Sequence, residues 1–324
     1  MKLQKKIWIS LVVVATGALL SGCGKGEPEA YAYGPEQMDA FLAELPQERQ
    51  RAEPFAADLC VVTGEEPGPD ASVGAQAAGV FPAHGGGEAI LQRNVFQHMN
   101  PASTTKIMTA LIAVREADLD ELVTVGDEVQ VEPGSSLCHV NPGDTLTMEQ
   151  LLYGLMLPSG NDAAAAIAVH MAGSIEAFCE KMNATAREIG ATDSHFVNPH
   201  GLTDEQHYTT AYDLYLIFRE AMEYPEFARI VQTTRYTASY TDGEGNPKTQ
   251  EWKNSNQYLS GDTQTPEGLT VTGGKTGTTS AAGSCLVLGC EDGEQQDYIA
   301  VVLKAEDRTA LYKDMTNMIQ NIVN

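Results

Sequence analysis

A serine and a lysine three positions apart, Ser103 and Lys106, have residue types and a spacing that suit acyl transfer. They follow Pro101 and precede the apolar run at 107–114, which predicts a helix with both residues in its first turn. Side chains at i and i+3 lie on one helical face, so the lysine amine can reach the serine hydroxyl. A serine is a weak nucleophile until an adjacent base takes its proton, and lysine acts as that base only where burial or a neighbouring cation lowers its pKa. Alone, the pair indicates an ordinary helix cap beside a surface lysine.

Two later motifs change that interpretation. Ser159 and Asn161 belong to a Ser-Gly-Asn sequence between two predicted helices, where a tight turn projects polar side chains. Lys275 opens a Lys-Thr-Gly sequence after a glycine-rich, β-biased run, where a ligand backbone can approach closely. Either motif alone is compatible with an ordinary turn or a solvated strand end. All three in this order, with 56 residues between the serines and 116 from Ser159 to Lys275, favour one acyl-transfer site.

Local signals predict the helices that must position these residues. Thr147 and Gln150 have the spacing of a capping box at a helix start, and Asp162 supplies a first-turn negative charge to an alanine-rich helix. Residues 174–189 have apolar side chains at helical spacing, and Gly190 would end that helix.

These helices belong to a helical lobe predicted over about 104–225, which interrupts an α/β lobe. Strands of that α/β lobe are predicted near 57–63, 88–96, 269–276, 284–290 and 297–303, with a final helix from about 308.

Four segments resemble one family almost letter for letter. They are Pro-Ala-Ser-Thr-Thr-Lys-Ile-Met-Thr-Ala at 101–110, Leu-Pro-Ser-Gly-Asn-Asp-Ala-Ala at 157–164, Phe-Val-Asn-Pro-His-Gly-Leu at 196–202 and Gly-Lys-Thr-Gly-Thr-Thr-Ser-Ala-Ala-Gly at 274–283. From about Ala56 onward the chain resembles the serine D-alanyl-D-alanine carboxypeptidases, the low-molecular-mass penicillin-binding proteins. The resemblance implies an α/β, penicillin-binding/β-lactamase-like fold: an antiparallel sheet flanked by helices, with an inserted helical lobe. It also implies a cofactor-free serine peptidase that removes the terminal D-alanine from peptidoglycan pentapeptides through an acyl-enzyme and that β-lactams inhibit.

The resemblance also implies roles for individual residues. Ser103 would be the acylated nucleophile, Lys106 its proton acceptor and Ser159 a proton relay toward the leaving amine. The backbone N–H groups of Ser103 and Thr278 would form the oxyanion hole. Substrate-binding residues would be Asn161, Lys275, Thr276, Gly277, Thr278 and Arg308. For Arg308, which would bind the terminal carboxylate, a plain surface or helix-start arginine is an equal alternative.

One segment departs from the family pattern. Between Val62 and Glu88 the chain is rich in Gly, Pro and Ala, where the family has a tight hairpin. Because it lacks hydrophobic periodicity, residues 65–86 are predicted to form an exposed, mobile loop.

Two other functions share some of these features. A serine β-lactamase would use the same nucleophile, but it needs an added carboxylate base to deacylate quickly, and no Glu-x-x-x-Asn pattern occurs between 161 and 268. A non-catalytic lipoprotein that binds cell-wall peptides would have no need of an activated nucleophile.

The N-terminus predicts a lipid anchor. Three lysines and the apolar stretch 7–20 form a signal peptide over 1–22, too short to favour a spanning helix. Leu-Ser-Gly-Cys at 20–23 resembles a bacterial lipoprotein cleavage box, with Cys23 as the lipidated residue. Residues 23–52 would be a tether with a short helix, and 53–324 the catalytic domain. The protein is therefore expected outside the cytoplasm, held to a bacterial membrane by lipid.

Charge and metal-ligand patterns exclude other classes of partner. Removal of 1–22 changes the formal charge from −24 to −27, because that segment holds three lysines and no acids. Such an acidic chain repels nucleic acid, so its anionic peptide substrate must be captured by a few local cations. The scattered histidines predict no metal site, and an odd number of cysteines after Cys23 leaves at least one thiol unpaired within the chain.

Overall fold

The computed structural model describes residues 58–62 and 73–323, all of which belong to the compact unit Phe55–Asn324. The predicted signal peptide, the lipidated Cys23 and the tether lie outside the described residues.

The central sheet has five antiparallel strands in the order β2-β1-β9-β8-β7. Their bounds are β1 Ala77–Pro82, β2 Leu91–Arg93, β7 Leu269–Thr279, β8 Gly283–Asp292 and β9 Asp297–Ala305. The three C-terminal strands lie where the sequence predicted them. A second sheet, of order β3-β4-β5-β6, is formed by β3 Leu122–Thr124, β4 Thr145–Thr147, β5 Arg235–Thr241 and β6 Pro247–Lys253.

Eight α-helices accompany these sheets in the described part of the chain. They are α1 Lys106–Glu116, α2 Met148–Met156, α3 Asn161–Ala172, α4 Ile175–Glu188, α5 Ala211–Met222, α6 Pro225–Gln232, α7 Gln257–Ser260 and α8 Arg308–Ile319. Among the described residues, no single helix is long and apolar enough to span a membrane. Helices α3 and α4 would be long and apolar enough only together, and the chain bends by 85° between them.

The alternation of side chains on the central strands builds two cores. Leu286 and Leu288 of β8 pack with α8 residues such as Met315 on one face, while Val287 belongs with Phe81 to the larger core that contains α1. The sheet is therefore covered on both faces, and β7 can hold functional residues on a rigid support.

The first strand corrects two sequence-based predictions. A strand was predicted near 57–63, but Val61 makes only an isolated bridge to Glu88. The first strand, β1, instead lies inside the segment predicted to be an exposed loop, and it pairs with β2 and β9. Packing favours glycine at position 79, because a Cβ there would come within 2.2 Å of the buried Phe81 ring. The loop prediction is therefore wrong over 77–82.

The predicted helix signals are confirmed. The Thr147 hydroxyl accepts from the Gln150 N–H at 3.2 Å, and the Gln150 side chain accepts from the Thr147 N–H at 3.0 Å, which completes the capping box of α2. Ser174 caps α4, and Gly190, just beyond that helix, has a φ of 86°.

Candidate active site

Ser103 lies in a short 3-10 turn, Ala102–Thr105, rather than in the first turn of an α-helix as predicted. The α-helix α1 begins three residues later, at Lys106. Ala102 has a φ of 48°, which is uncommon for a residue with a side chain. Two hydroxyls hold the turn: Thr104 donates to the Pro101 carbonyl at 2.7 Å, and Thr105 to the Ala102 carbonyl at 2.9 Å. Ser103 is half-buried and lines an open cleft.

The Lys106 amine is fully buried and has three oxygens around it. Its Nζ lies 2.7 Å from Asn161 Oδ1, 2.9 Å from the His200 carbonyl oxygen and 3.0 Å from Ser103 Oγ. The first two oxygens can only accept hydrogen bonds. A neutral amine has two N–H groups for those acceptors and one lone pair, so the Ser103 hydroxyl is placed to donate to that lone pair.

Electrostatics favour this neutral form. Burial lowers the pKa of Lys106 well below its usual value, and the nearby Lys275 lowers it further, against an opposing effect of Asp162. The side chain is 0% exposed, so water does not stabilise its charge. A buried amine of this kind can act as a general base.

Ser159 and Lys275 form a second serine–lysine contact opposite the first. Lys275 Nζ donates to Ser159 Oγ at 3.0 Å and to the Thr276 carbonyl at 2.8 Å. Burial alone lowers the pKa of Lys275 to about 7. Ser159 has a φ of 67°, a strained conformation for serine that directs its side chain from the α2–α3 turn into the cleft.

The cleft itself has a volume of about 590 Å³ and is polar. Its lining residues are Ser103, Ser136, Ser159, Ser255, Thr276, Gly277, Thr278, Arg308 and Leu311. Six of the predicted site residues therefore line this cleft: Ser103, Ser159, Thr276, Gly277, Thr278 and Arg308. The other three, Lys106, Asn161 and Lys275, are buried, and the two lysines contact the cleft serines Ser103 and Ser159. No carboxylate is among the described residues that line this cleft.

Arg308 is both a helix-start residue and a cleft residue. It is the first residue of α8, and its guanidinium donates to the Ser255 carbonyl at 2.6 Å. The Ser255 hydroxyl in turn shares a hydrogen bond of 2.6 Å with Thr276 Oγ1. These contacts build one polar wall of the cleft, with a cation that can take a carboxylate.

Close approach of the backbone requires glycine at two positions beside the nucleophile. A Cβ on Gly277 would lie 2.8 Å from the Ser103 nitrogen and 3.0 Å from Ala102 Cβ. A Cβ on Gly201 would lie 1.8 Å from the Ala102 carbonyl oxygen. Strand β7 and the loop at 196–202 therefore press on the nucleophile turn from two sides.

Comparison with known proteins identifies the family. The family model described as D-alanyl-D-alanine carboxypeptidase matches residues 65–307. The chain belongs to this carboxypeptidase family. It is 32% identical over 240 residues to D-alanyl-D-alanine carboxypeptidase DacF of Bacillus subtilis, with 72% of this chain and 58% of DacF covered. It is 35% identical over 231 residues to DacD of Escherichia coli, with 68% and 56% covered. The chain thus spans less than two thirds of the length of these two relatives.

A solved structure shows that the fold is shared as well. The Streptomyces K15 DD-transpeptidase is 32% identical, with a TM-score of 0.71 over 77% of this chain and 97% of that chain. The penicillin-binding fold predicted from the sequence is confirmed by this likeness.

Within this carboxypeptidase family member, Asp162 has a structural role that the sequence analysis missed. Its carboxylate is 1% exposed and accepts from four backbone N–H groups, those of Cys138, His139, Val140 and Ala163, at 2.7–3.2 Å. The charge was predicted only as a helix-start residue. It instead fixes the 138–140 segment beside Ser136, a link across 22–24 residues that no local pattern indicates.

His207 is a second missed residue. It is 1% exposed, and its Nδ1 accepts from the Val197 N–H at 3.2 Å. Its Nε2 is then protonated and donates to Thr105 Oγ1 at 2.8 Å. The imidazole ties the 196–202 loop to the turn that carries Ser103.

The described residues include five cysteines and several possible metal ligands. Cys60, Cys138, Cys179, Cys285 and Cys290 are free and buried. Across 58–62 and 73–323, no group of three or more His, Cys, Asp or Glu residues is arranged to hold a metal ion.

Proposed function

We propose that this protein is a serine D-alanyl-D-alanine carboxypeptidase that removes the terminal D-alanine from peptidoglycan stem peptides through an acyl-enzyme. The single observation that carries the proposal is the 3.0 Å contact of Ser103 Oγ with a buried lysine amine whose N–H groups have two other acceptors. The family supports the substrate, since its model and relatives are D-alanyl-D-alanine carboxypeptidases.

In the acylation step, Ser103 Oγ attacks the carbonyl between the two D-alanines while its proton passes to Lys106. The lone pair of the neutral amine faces the hydroxyl, so no rearrangement precedes the transfer. The backbone N–H groups of Ser103 and Thr278, which both line the cleft, would stabilise the oxyanion.

Departure of D-alanine requires a proton on its nitrogen and a site for its carboxylate. Ser159 lies in the cleft and contacts Lys275 at 3.0 Å, so this pair can pass a proton to the leaving amine. Thr276 and Arg308 line the same cleft, where the terminal carboxylate would be held by a hydroxyl and a guanidinium. Water then hydrolyses the ester and restores Ser103.

β-Lactams would acylate the same serine and remain attached. Their leaving group is tethered, and the described part of the cleft offers no carboxylate to activate a deacylating water. This observation supports a penicillin-binding enzyme over a β-lactamase.

The protein would act outside the cytoplasm as a lipid-anchored enzyme. The support is the apolar segment before Leu-Ser-Gly-Cys at 20–23, with Cys23 as the acylated residue. Cys23→Ala should leave an uncleaved precursor or release the protein into the medium. Wild-type protein found soluble and unlipidated in the medium would contradict the anchor.

The enzymatic proposal is tested by D-alanine release from a pentapeptide ending in D-Ala-D-Ala and by labelling with fluorescent penicillin. Ser103→Ala should abolish both, while Ser136→Ala, at an exposed serine of the same cleft, should retain labelling. Persistent covalent labelling of Ser103→Ala would show that another residue is the nucleophile. Penicillin hydrolysis by the wild type at about 10 turnovers per second, a typical enzyme rate, would instead support the β-lactamase alternative.

A further inference from the structure

A pocket separate from the active-site cleft lies between the last turns of α5 and the central sheet. It has a volume of about 400 Å³, in the range of small-molecule sites, and it shares no lining residue with the cleft. This α5 pocket is lined, among others, by Ala83, Phe218, Arg219, Met222, Asp297 and Ile299. None of these residues takes part in the chemistry at Ser103.

Arg219 brings an unused cation to the α5 pocket. Its Nε donates to the Ala83 carbonyl at 2.6 Å, which fixes the half-buried guanidinium in place. Among the described residues, its terminal NH₂ groups have neither a carboxylate nor any other hydrogen-bond partner. The chain has 44 acidic residues against 20 Lys and Arg, so an arginine without a carboxylate is unexpected. Such a guanidinium can take a ligand carboxylate through two parallel hydrogen bonds.

Asp297, the exposed first residue of β9, brings an unused anion to the same pocket. Within 58–62 and 73–323 its carboxylate makes no ion pair or hydrogen bond, not even with Arg219. The two residues nevertheless flank a single residue, because the Ala83 N–H donates to the Asp297 carbonyl at 2.8 Å while the Ala83 carbonyl accepts from Arg219. His84 also lines the pocket, but it faces Glu223 at 3.7 Å. The pocket therefore presents one free positive charge and one free negative charge close together.

The remaining wall of the α5 pocket is apolar. Phe218 and Ile299 are 0% and 2% exposed, and Met222 is half-buried. The space beside the Phe218 ring is kept open by Gly289 of β8, where a Cβ would lie 3.1 Å from the ring. An aliphatic group that entered here would be removed from water next to the two charges.

We propose that the α5 pocket binds a free α-amino acid with an aliphatic side chain, taken as the zwitterion. The ligand carboxylate accepts from the terminal NH₂ groups of Arg219, its ammonium group donates to Asp297, and its side chain packs against Phe218 and Met222. A simple anion would be repelled by Asp297 and a simple cation by Arg219, whereas a zwitterion complements both. The inference does not depend on the proposed function.

The test measures binding of four small probes to the protein by isothermal titration calorimetry. They are the two enantiomers of leucine, 4-methylpentanoate, which is leucine without its ammonium group, and leucinamide, which lacks the carboxylate. The tighter enantiomer of leucine should bind with a Kd of about 1 mM or below, a modest affinity for a ligand of its size. Each of the two analogues should bind about fivefold or more weakly than that enantiomer.

Variants assign each charge of the ligand to one residue. Asp297→Asn should weaken leucine binding about threefold to fivefold, since the carboxylate is exposed, and should leave 4-methylpentanoate unweakened. Arg219→Gln should weaken leucine binding about tenfold and leave leucinamide unweakened. Asp120→Asn and Arg187→Gln, at exposed positions outside the pocket, are the charge-matched controls and should change nothing.

This pattern separates binding from a structural role, since a variant that merely disturbs the fold weakens all probes alike. If Arg219→Gln does not fold, Asp297→Asn decides the test alone, because that side chain makes no contact among the described residues. Absence of leucine binding below about 10 mM would overturn the proposal, as would binding of 4-methylpentanoate as tight as that of leucine. Equal weakening by Arg308→Gln and Asp297→Asn would place the ligand in the active-site cleft and overturn it as well.

Discussion

Asn161 Oδ1 accepts a hydrogen bond of 2.7 Å from Lys106 Nζ, so the last residue of the Ser-Gly-Asn motif orients the base of the first motif. Asn161 is 3% exposed, and its amide oxygen faces the amine within the site. Its predicted role in substrate binding stays a prediction. The contact with Lys106 explains why the second motif has an amide, since a neutral acceptor orients the amine and favours its protonated form much less than a carboxylate would.

Replacement of that amide by a carboxylate should expose the requirement for a neutral lysine. Asn161→Asp would place a negative charge beside Lys106 Nζ and raise the pKa of that lysine. The acylation rate should therefore fall at neutral pH, and the acidic limb of its pH profile should shift to higher pH. Asn161→Ala should lower the maximal rate without that shift. The pH profile of fluorescent-penicillin acylation measures both, and identical profiles for the two variants would argue against a neutral Lys106.

Lys275 should cause a separate decline of kcat/KM at alkaline pH. Its pKa is lowered to about 7 by burial, so its charge is present below that pH and lost as pH rises through it. The positive charge that Lys275 adds behind Ser159 is then lost, so kcat/KM should decline above about pH 7. In Lys275→Arg the cation persists, since arginine stays protonated, and the decline should move beyond pH 9. A decline that stays near pH 7 in an active Lys275→Arg enzyme would assign it to another group.

Local patterns predicted the parts of the site that lie close together in the chain. Ser103 and Lys106 share a turn, and the capping box that starts α2 needs only Thr147 and Gln150. The contact of Ser159 with Lys275 joins residues 116 positions apart, and helical or strand periodicity carries no information about such a distance. The order of the three motifs and the family resemblance, not periodicity, predicted that these two residues meet.

Two elements show why the remaining parts of the fold were missed. In β1, small residues suit a strand buried on both faces, yet Gly, Pro and Ala also dominate loops, so composition favoured the wrong structure. The β5–β6 hairpin was not predicted, although Ala238, Tyr240 and Trp252 alternate inward with polar neighbours. That period of two was a usable signal.

Gly277→Ala should impair acylation through backbone position alone. The added methyl would lie 2.8 Å from the Ser103 nitrogen, so the nucleophile turn or β7 must shift by a few tenths of an ångström. Misplacement on that scale should slow acylation by about tenfold to a hundredfold. Gly293→Ala is the control, because a Cβ there meets nothing within 4 Å. Equal acylation rates for the two variants would contradict the packing argument.

Asp162→Asn should destabilise the protein. One of the two carboxylate oxygens would become an NH₂ group facing two backbone N–H donors, which leaves those donors without an acceptor. We expect a loss of about 2–4 kcal/mol in the free energy of unfolding, together with slower acylation because Ser136 and its neighbours are released. Urea unfolding measures the first effect. A loss of less than about 0.5 kcal/mol, the size expected for an ordinary surface substitution, would contradict the prediction.

His207 should make the fold sensitive to acid. Burial lowers its pKa from 6.5 to about 4, an effect strengthened by His195 and opposed by Asp204. Between those two pH values the unfolded chain binds a proton that the folded chain does not, so the free energy of unfolding should fall as pH decreases from about 6.5 to about 4. One proton corresponds to about 1.4 kcal/mol per pH unit, or about 3 kcal/mol over this window. His207→Gln keeps an amide donor and acceptor but cannot titrate, so it should be less stable at pH 7 and lose stability less steeply on acidification. Urea unfolding between pH 4 and pH 7.5 gives both slopes, and equal slopes for the variant and the wild type would show that His207 is not the group responsible.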